Sequence, residues 1–127
     1  MEKLHDMLEE YNTRFIPDEC RRSWSNQFCD SKFPCYWEKV FEELQSVDKN
    51  KKILEIGCGQ GDITSIFCYL GFKYIKAYEM DSMMCKVAID KLHTLFRRTE
   101  IVECIKYPHE ADNADVLVLV NCAYADG

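Results

Sequence analysis

No C-x-x-C pair occurs in this chain, although eight of its 127 residues are cysteine. Cys20, Cys29 and Cys35 also have spacings that match no common zinc pattern, so no metal site is expected. Proline is scarce, with three residues, and glycine numbers five, which leaves no room for a flexible low-complexity linker. No apolar run approaches the roughly 18–20 residues of a membrane span. The first residues, Met1-Glu2-Lys3-Leu4-His5-Asp6, lack a signal-peptide apolar core. Positive charge is in deficit: 16 Lys and Arg stand against 22 Asp and Glu, a net charge of −6. That balance argues against broad electrostatic binding to DNA, RNA or anionic lipid. Arg21-Arg22 and Arg97-Arg98 read as solvated surface pairs. A cytoplasmic, single-domain protein is expected, with no membrane or nucleic-acid partner.

What is present is an alternation of helical and strand-like segments. Leu4, Met7, Leu8 and Tyr11 make the i, i+3, i+4, i+7 stripe of an amphipathic helix. Residues 13–34 are irregular, with Pro17 and Pro34 as punctuation and Phe15, Trp24, Phe28 and Phe33 scattered between. This segment is read either as a lid that excludes water or as an extension packed on the domain. A second helix carries Tyr36, Trp37, Val40, Phe41 and Leu44. Strands are expected near 52–56, 74–78, 100–105 and 115–120, with helices over 62–70 and 82–97. Gly71 reads as a C-cap and Ser82 as an N-cap. The last strand, Asp115-Val116-Leu117-Val118-Leu119-Val120, is apolar after its first residue, as a strand buried on both faces would be. Cys58, Cys68, Cys85, Cys104 and Cys122 fall in or beside these elements and are expected to be reduced, small buried hydrophobes. The alternation predicts an α/β fold: an open, mostly parallel Rossmann-like sheet of about four strands, helices on both faces, and N-terminal helices before it.

The most telling stretch is Glu55-Ile56-Gly57-Cys58-Gly59-Gln60-Gly61-Asp62. Glycine lets a backbone turn tightly and approach a ligand, and the following helix offers unpaired N–H groups. A phosphate-binding P-loop is excluded, because no Lys-Ser/Thr follows the glycines. The dinucleotide fingerprint G-x-G-x-x-G is disfavoured, because Asp62 stands where its third glycine belongs. Glu79 follows Gly57 by 22 positions, close to the ~20 expected of a carboxylate that grips a ribose diol. The pattern E-x-G-x-G-x-G at a strand end, with Glu79 at this spacing, resembles class I S-adenosylmethionine-dependent methyltransferases. The resemblance covers roughly residues 36–124. It implies S-adenosylmethionine as cofactor, with Gly57, Cys58, Gly59 and Gly61 lining its methionine part and Glu79 binding its ribose. Met80 would flank the adenine. Glu55 would order the loop and reach toward the cofactor's amino group, and Asp62 would do the same or cap the following helix. Asp81 is an alternative ribose ligand or a helix cap.

Asn121-Cys122-Ala123-Tyr124 follows the fourth strand, where amino-group methyltransferases carry Asp/Asn-Pro-Pro-Tyr/Phe. Asn121 and Tyr124 match the outer positions as candidate catalytic residues, but both prolines are absent, and an ordinary strand-end loop competes. His93 and His109 are expected at the surface, the latter near where adenine contacts arise. Two regions follow: an extension over 1–35 and a partial Rossmann-like S-adenosylmethionine-binding domain over 36–127. The resemblance accounts for only four of the family's seven strands. A fragment, a half that pairs with a partner or second copy, and a degenerate binding domain all remain open. The function expected is methyl transfer to a small-molecule or protein acceptor. A non-catalytic partner subunit and an NAD-dependent oxidoreductase are the alternatives.

Overall fold

The computed structural model describes residues 2–21, 35–105 and 113–119. Helix α1 (Glu2–Arg14) and a 3-10 turn (Asp18–Cys20) come first, followed by α2 (Cys35–Gln45). Then β1 (Lys52–Ile56), α3 (Asp62–Leu70), β2 (Tyr74–Tyr78), α4 (Ser82–Phe96), β3 (Val102–Glu103) and β4 (Val116–Leu119) alternate. The strands form one parallel sheet in the order β3-β2-β1-β4. The fold is α/β with an open Rossmann-like sheet, as the alternation predicts.

Register decides which side chains meet. Ile53 pairs with Ile75 and Val116, and Glu55 with Ala77 and Val118, so these residues share a face. That face meets the core, in which Leu4 and Leu8 of α1 and Trp37, Phe41 and Leu44 of α2 join Ile66, Phe67, Ala88 and Leu92. Helix α3 touches α1, α2 and α4, so the four helices form one layer. The N-terminal helix is therefore part of the same core as the sheet. Gly71, at φ 91°, ends α3, and its N–H donates to the carbonyls of Cys68 and Phe67.

Four features differ from the sequence reading. Helices on both faces were expected, but the described helices lie over one. The opposite face carries Leu54, Ile56, Leu117 and Leu119, and Leu117 and Leu119 are 58% and 51% exposed. The fourth strand is thus buried on one face rather than two, because only the side bearing Val116 and Val118 meets the helix layer. The third strand is shorter than 100–105: the Glu100 carboxylate turns back onto Arg98 and the Thr99 amide, which holds that residue in a bend. Asp81, not Ser82, caps α4, accepting from the amides of Met83 (2.9 Å) and Met84 (3.2 Å). Among the described residues no helix is long and apolar enough to cross a membrane.

Candidate functional site

The glycine loop leaves the C-terminal end of β1 and turns into α3. Gly57, Gly59 and Gly61 adopt φ of 73°, 56° and 84°, left-handed conformations that cost an L side chain roughly 1–2 kcal/mol. The amides of Gly57 and Cys58 both donate to the Tyr78 carbonyl, at 2.8 and 3.1 Å. The loop is therefore pinned to the end of the neighbouring strand β2, where the next acidic residue emerges. Glu79 closes the arrangement. Its Oε1 accepts the Gly59 amide at 2.8 Å, and its Oε2 accepts the Asp81 amide at 2.9 Å. Two sequence features 20 residues apart thus meet at the carboxyl ends of adjacent parallel strands, where open α/β sheets bind ligands. Met80, beside them, is 58% exposed.

The other loop residues serve the scaffold. Gly61 is the N-cap of α3 and presses on α4: a Cβ there would stand 3.2 Å from the Ala88 Cβ and 3.3 Å from its Cα. Cys58 is buried, and burial together with nearby Glu55 and Glu79 raises its thiol well above the ordinary range, so it is no nucleophile. Glu55 points into the helix layer, where the Thr64 hydroxyl of α3 donates to it. Burial pushes its carboxyl up to about 8, against that hydrogen bond, so Glu55 is protonated at neutral pH. It ties β1 to α3.

Asp62 neither caps α3 nor opens toward the loop's surface. Its Oδ1 accepts from Lys91 Nζ at 2.7 Å and from Asn12 Nδ2 at 3.0 Å. Lys91 is fully buried, and desolvation lowers its ammonium below the usual range while Asp62 pulls the other way. Lys91 also lies over the Tyr11 ring, 5.4 Å from its centroid, and the Tyr11 hydroxyl donates to Asp90. Gln60, likewise buried, donates from Nε2 to the Cys20 carbonyl at 2.8 Å. The glycine loop is thereby clamped from the N-terminal side by α1 and the 3-10 turn.

The sequence reading gave no role to Asn12, Gln60, Thr64 or Lys91, and took Ala88 only as an apolar residue of its helix. A signal existed for Lys91: it falls among Val87, Ala88, Leu92 and Leu95, on the apolar stripe of α4, and a buried charge demands a partner. Asn12 likewise follows the Leu4, Leu8 stripe of α1. Asn121 and Tyr124, the candidate catalytic pair, lie outside the described residues, as do His109, Cys29, Cys122 and the aromatic residues Trp24, Phe28 and Phe33.

No protein-family model matches the chain. No curated protein matches it either. Among solved structures it is similar to a protein-L-isoaspartate O-methyltransferase, with a TM-score of 0.53 and 18% identity. The match covers 93% of this chain and 47% of that one, so the chain spans about half the enzyme's length. The likeness shows the fold: that of a methyltransferase-like Rossmann sheet.

Proposed function

We propose that this chain binds S-adenosylmethionine at the Gly57–Glu79 site, as the cofactor-binding part of a methyltransferase acting on a small-molecule or protein acceptor. The observation that carries the reading is the hydrogen bond from the Gly59 amide to the Glu79 carboxylate, which joins the two ligand-facing features into one cleft edge. The residues present fit the cofactor. A carboxylate has about four lone-pair positions. Glu79 uses two, on the Gly59 and Asp81 amides, which leaves acceptors for a ribose diol. Exposed Met80 supplies an apolar surface beside it. Gly57 and Gly59 present backbone rather than side chain to the ligand, as a close approach requires.

When bound, the cofactor supplies a methyl group on a good leaving group, so no nucleophile or strong acid is required of the chain. The residues here bind and orient. The glycine backbone and Glu79 fix position, and the Asp62–Lys91–Asn12 cluster keeps the loop rigid. A rigid, preset loop lowers the entropic cost of alignment, which is the main task in direct displacement. The net charge of −6 favours a small-molecule or protein acceptor over a nucleic acid.

A second reading, a partner subunit without catalysis, is favoured by the apolar side chains of Leu117, Leu119 and Tyr74, each more than half exposed. Under it a partner chain or second copy covers that face. Gly59→Val separates the two. The methyltransferase reading expects it to abolish S-adenosylmethionine binding while circular dichroism stays unchanged. Equal affinity in a folded variant removes the loop from the site.

A further inference from the structure

We propose that the groove between α4 and the end of α1 with its 3-10 turn is an effector site for a small apolar ammonium ion. Only the last consequence, tighter cofactor binding, rests on the methyltransferase reading. The groove encloses about 420 Å³, a volume within the roughly 300–1,000 Å³ of small-molecule sites. One wall is a single face of α4, where Met83, Lys86, Val87 and Asp90 follow the i, i+3, i+4, i+7 spacing. Tyr11 and Phe15 stand opposite, with the 3-10 turn closing the end. No lining residue belongs to the glycine loop, and Glu79 is not among them, so the groove is a separate place on the molecule.

The chemistry of the lining selects the ligand. The Tyr11 and Phe15 rings lie 5.5 Å apart between centroids, tilted by 38°, and Phe15 is 57% exposed. With Met83 and Val87 they make an apolar bed. Aromatic faces also attract cations, and Tyr11 already does so for the buried Lys91 ammonium. Asp90 supplies the counter-charge. The Tyr11 hydroxyl donates to its Oδ2, and burial together with that carboxylate raises the hydroxyl, so it stays a donor at neutral pH. One carboxylate oxygen is thereby held in place, and lone pairs remain for a ligand N–H. Two lining residues, Glu19 and Asp90, are acidic and one, Lys86, is basic, so the lining as a whole is negative. Lys86 is exposed, and its flexible stem lets its charge turn to water.

Occupancy reaches the glycine loop along two contacts. Cys20 lines the groove, and its carbonyl accepts from Gln60 Nε2 at 2.8 Å. The Tyr11 ring lies against Lys91, whose ammonium holds Asp62 at 2.7 Å. A ligand that bridges α4 and the 3-10 turn damps the turn, and with it the loop that the turn clamps. Linkage makes the coupling reciprocal: a ligand on the loop tightens binding in the groove by the same factor.

The test titrates the full chain with benzylamine, protonated at pH 7, beside benzyl alcohol and benzoate, followed by NMR shifts and hydrogen–deuterium exchange. Expected are saturable benzylamine binding with shifts centred on Phe15, Met83 and Val87, and several-fold slower exchange across residues 57–61. Benzyl alcohol should bind about tenfold more weakly, the scale of one charged hydrogen bond, and benzoate more weakly still. S-adenosylhomocysteine should bind several-fold tighter when benzylamine is present. Asp90→Asn keeps an acceptor for Tyr11 and removes the charge, so it should erase the preference for the amine over the alcohol. Phe15→Ala, at an exposed position, should weaken both. No binding, equal binding of the three probes, or a preference that survives Asp90→Asn each overturns the proposal. Shifts centred on the glycine loop, or binding with unchanged exchange across residues 57–61, overturn it as well. Benzylamine binding with slower loop exchange, in a chain that takes up no S-adenosylhomocysteine, sinks the cofactor reading and leaves the groove standing.

Discussion

At the scale of single residues, Glu79 and Glu55 are two carboxyl groups with opposite fates. Glu79 emerges at the sheet end and accepts from two backbone amides, with lone pairs left to face a ligand. Glu79→Ala is expected to weaken S-adenosylmethionine binding by about 1.5–3 kcal/mol, the scale of a hydrogen bond to a charged group. Isothermal titration reads this directly, and unchanged affinity moves the ribose contact elsewhere. Glu55 is buried and protonated, with its carboxyl raised from 4.5 to about 8. The folded state then holds a proton that the unfolded chain releases. Stability is full below the unfolded value and falls as pH rises from about 4.5 through 8. Glu55→Gln keeps an acceptor for Thr64 and removes the titration. Its melting temperature should exceed that of the parent chain at pH 8 and match it at pH 4. Equal melting temperatures at both values contradict the buried-acid account.

At the scale of elements, three glycines and two acids do different work despite lying in one motif. Asp81 holds the first turn of α4, so Asp81→Ala is expected to cost about 1 kcal/mol in chemical denaturation, the usual value of an N-cap. Its effect on cofactor affinity should be far smaller than that of Glu79→Ala. Gly61 packs α3 against α4, and both its φ of 84° and its contact with Ala88 oppose a side chain. Gly61→Ala is expected to destabilise by about 1–3 kcal/mol. Adding Ala88→Gly should relieve the contact with the Ala88 Cβ but neither that with its Cα nor the backbone part, which a double-mutant cycle in urea resolves. These elements were largely readable beforehand. β1, α3 and β2 fall where the glycine loop, Gly71 and the apolar runs place them, because each boundary has a local chemical cause. The roles of Asp62 and Lys91 were not readable. Their pairing spans 29 positions and exists only once α3 and α4 lie side by side. Asp81 rather than Ser82 as cap was a choice between adjacent good capping residues that only the backbone decides.

For the whole molecule, the helix layer on one face explains both the rigid loop and the asymmetry of the sheet. The N-terminal helix enters the same core through Leu4 and Leu8 and reaches the glycine loop through Asn12, so the expected extension supports the site. The face of Leu117 and Leu119 was expected to be buried, because continuous apolar sequence does not reveal which strands have a second layer. If a second copy covers this face, sedimentation velocity should show mass rising with concentration, and Leu117→Lys with Leu119→Lys should hold the chain monomeric. A strict monomer at all concentrations contradicts that partner reading. The central claim, a site built where the glycine loop meets Glu79, is tested most directly by calorimetric titration with S-adenosylmethionine and S-adenosylhomocysteine, with NAD as control. The account predicts saturable binding of the first two and none of NAD. A folded chain that binds neither, or that binds NAD instead, contradicts it.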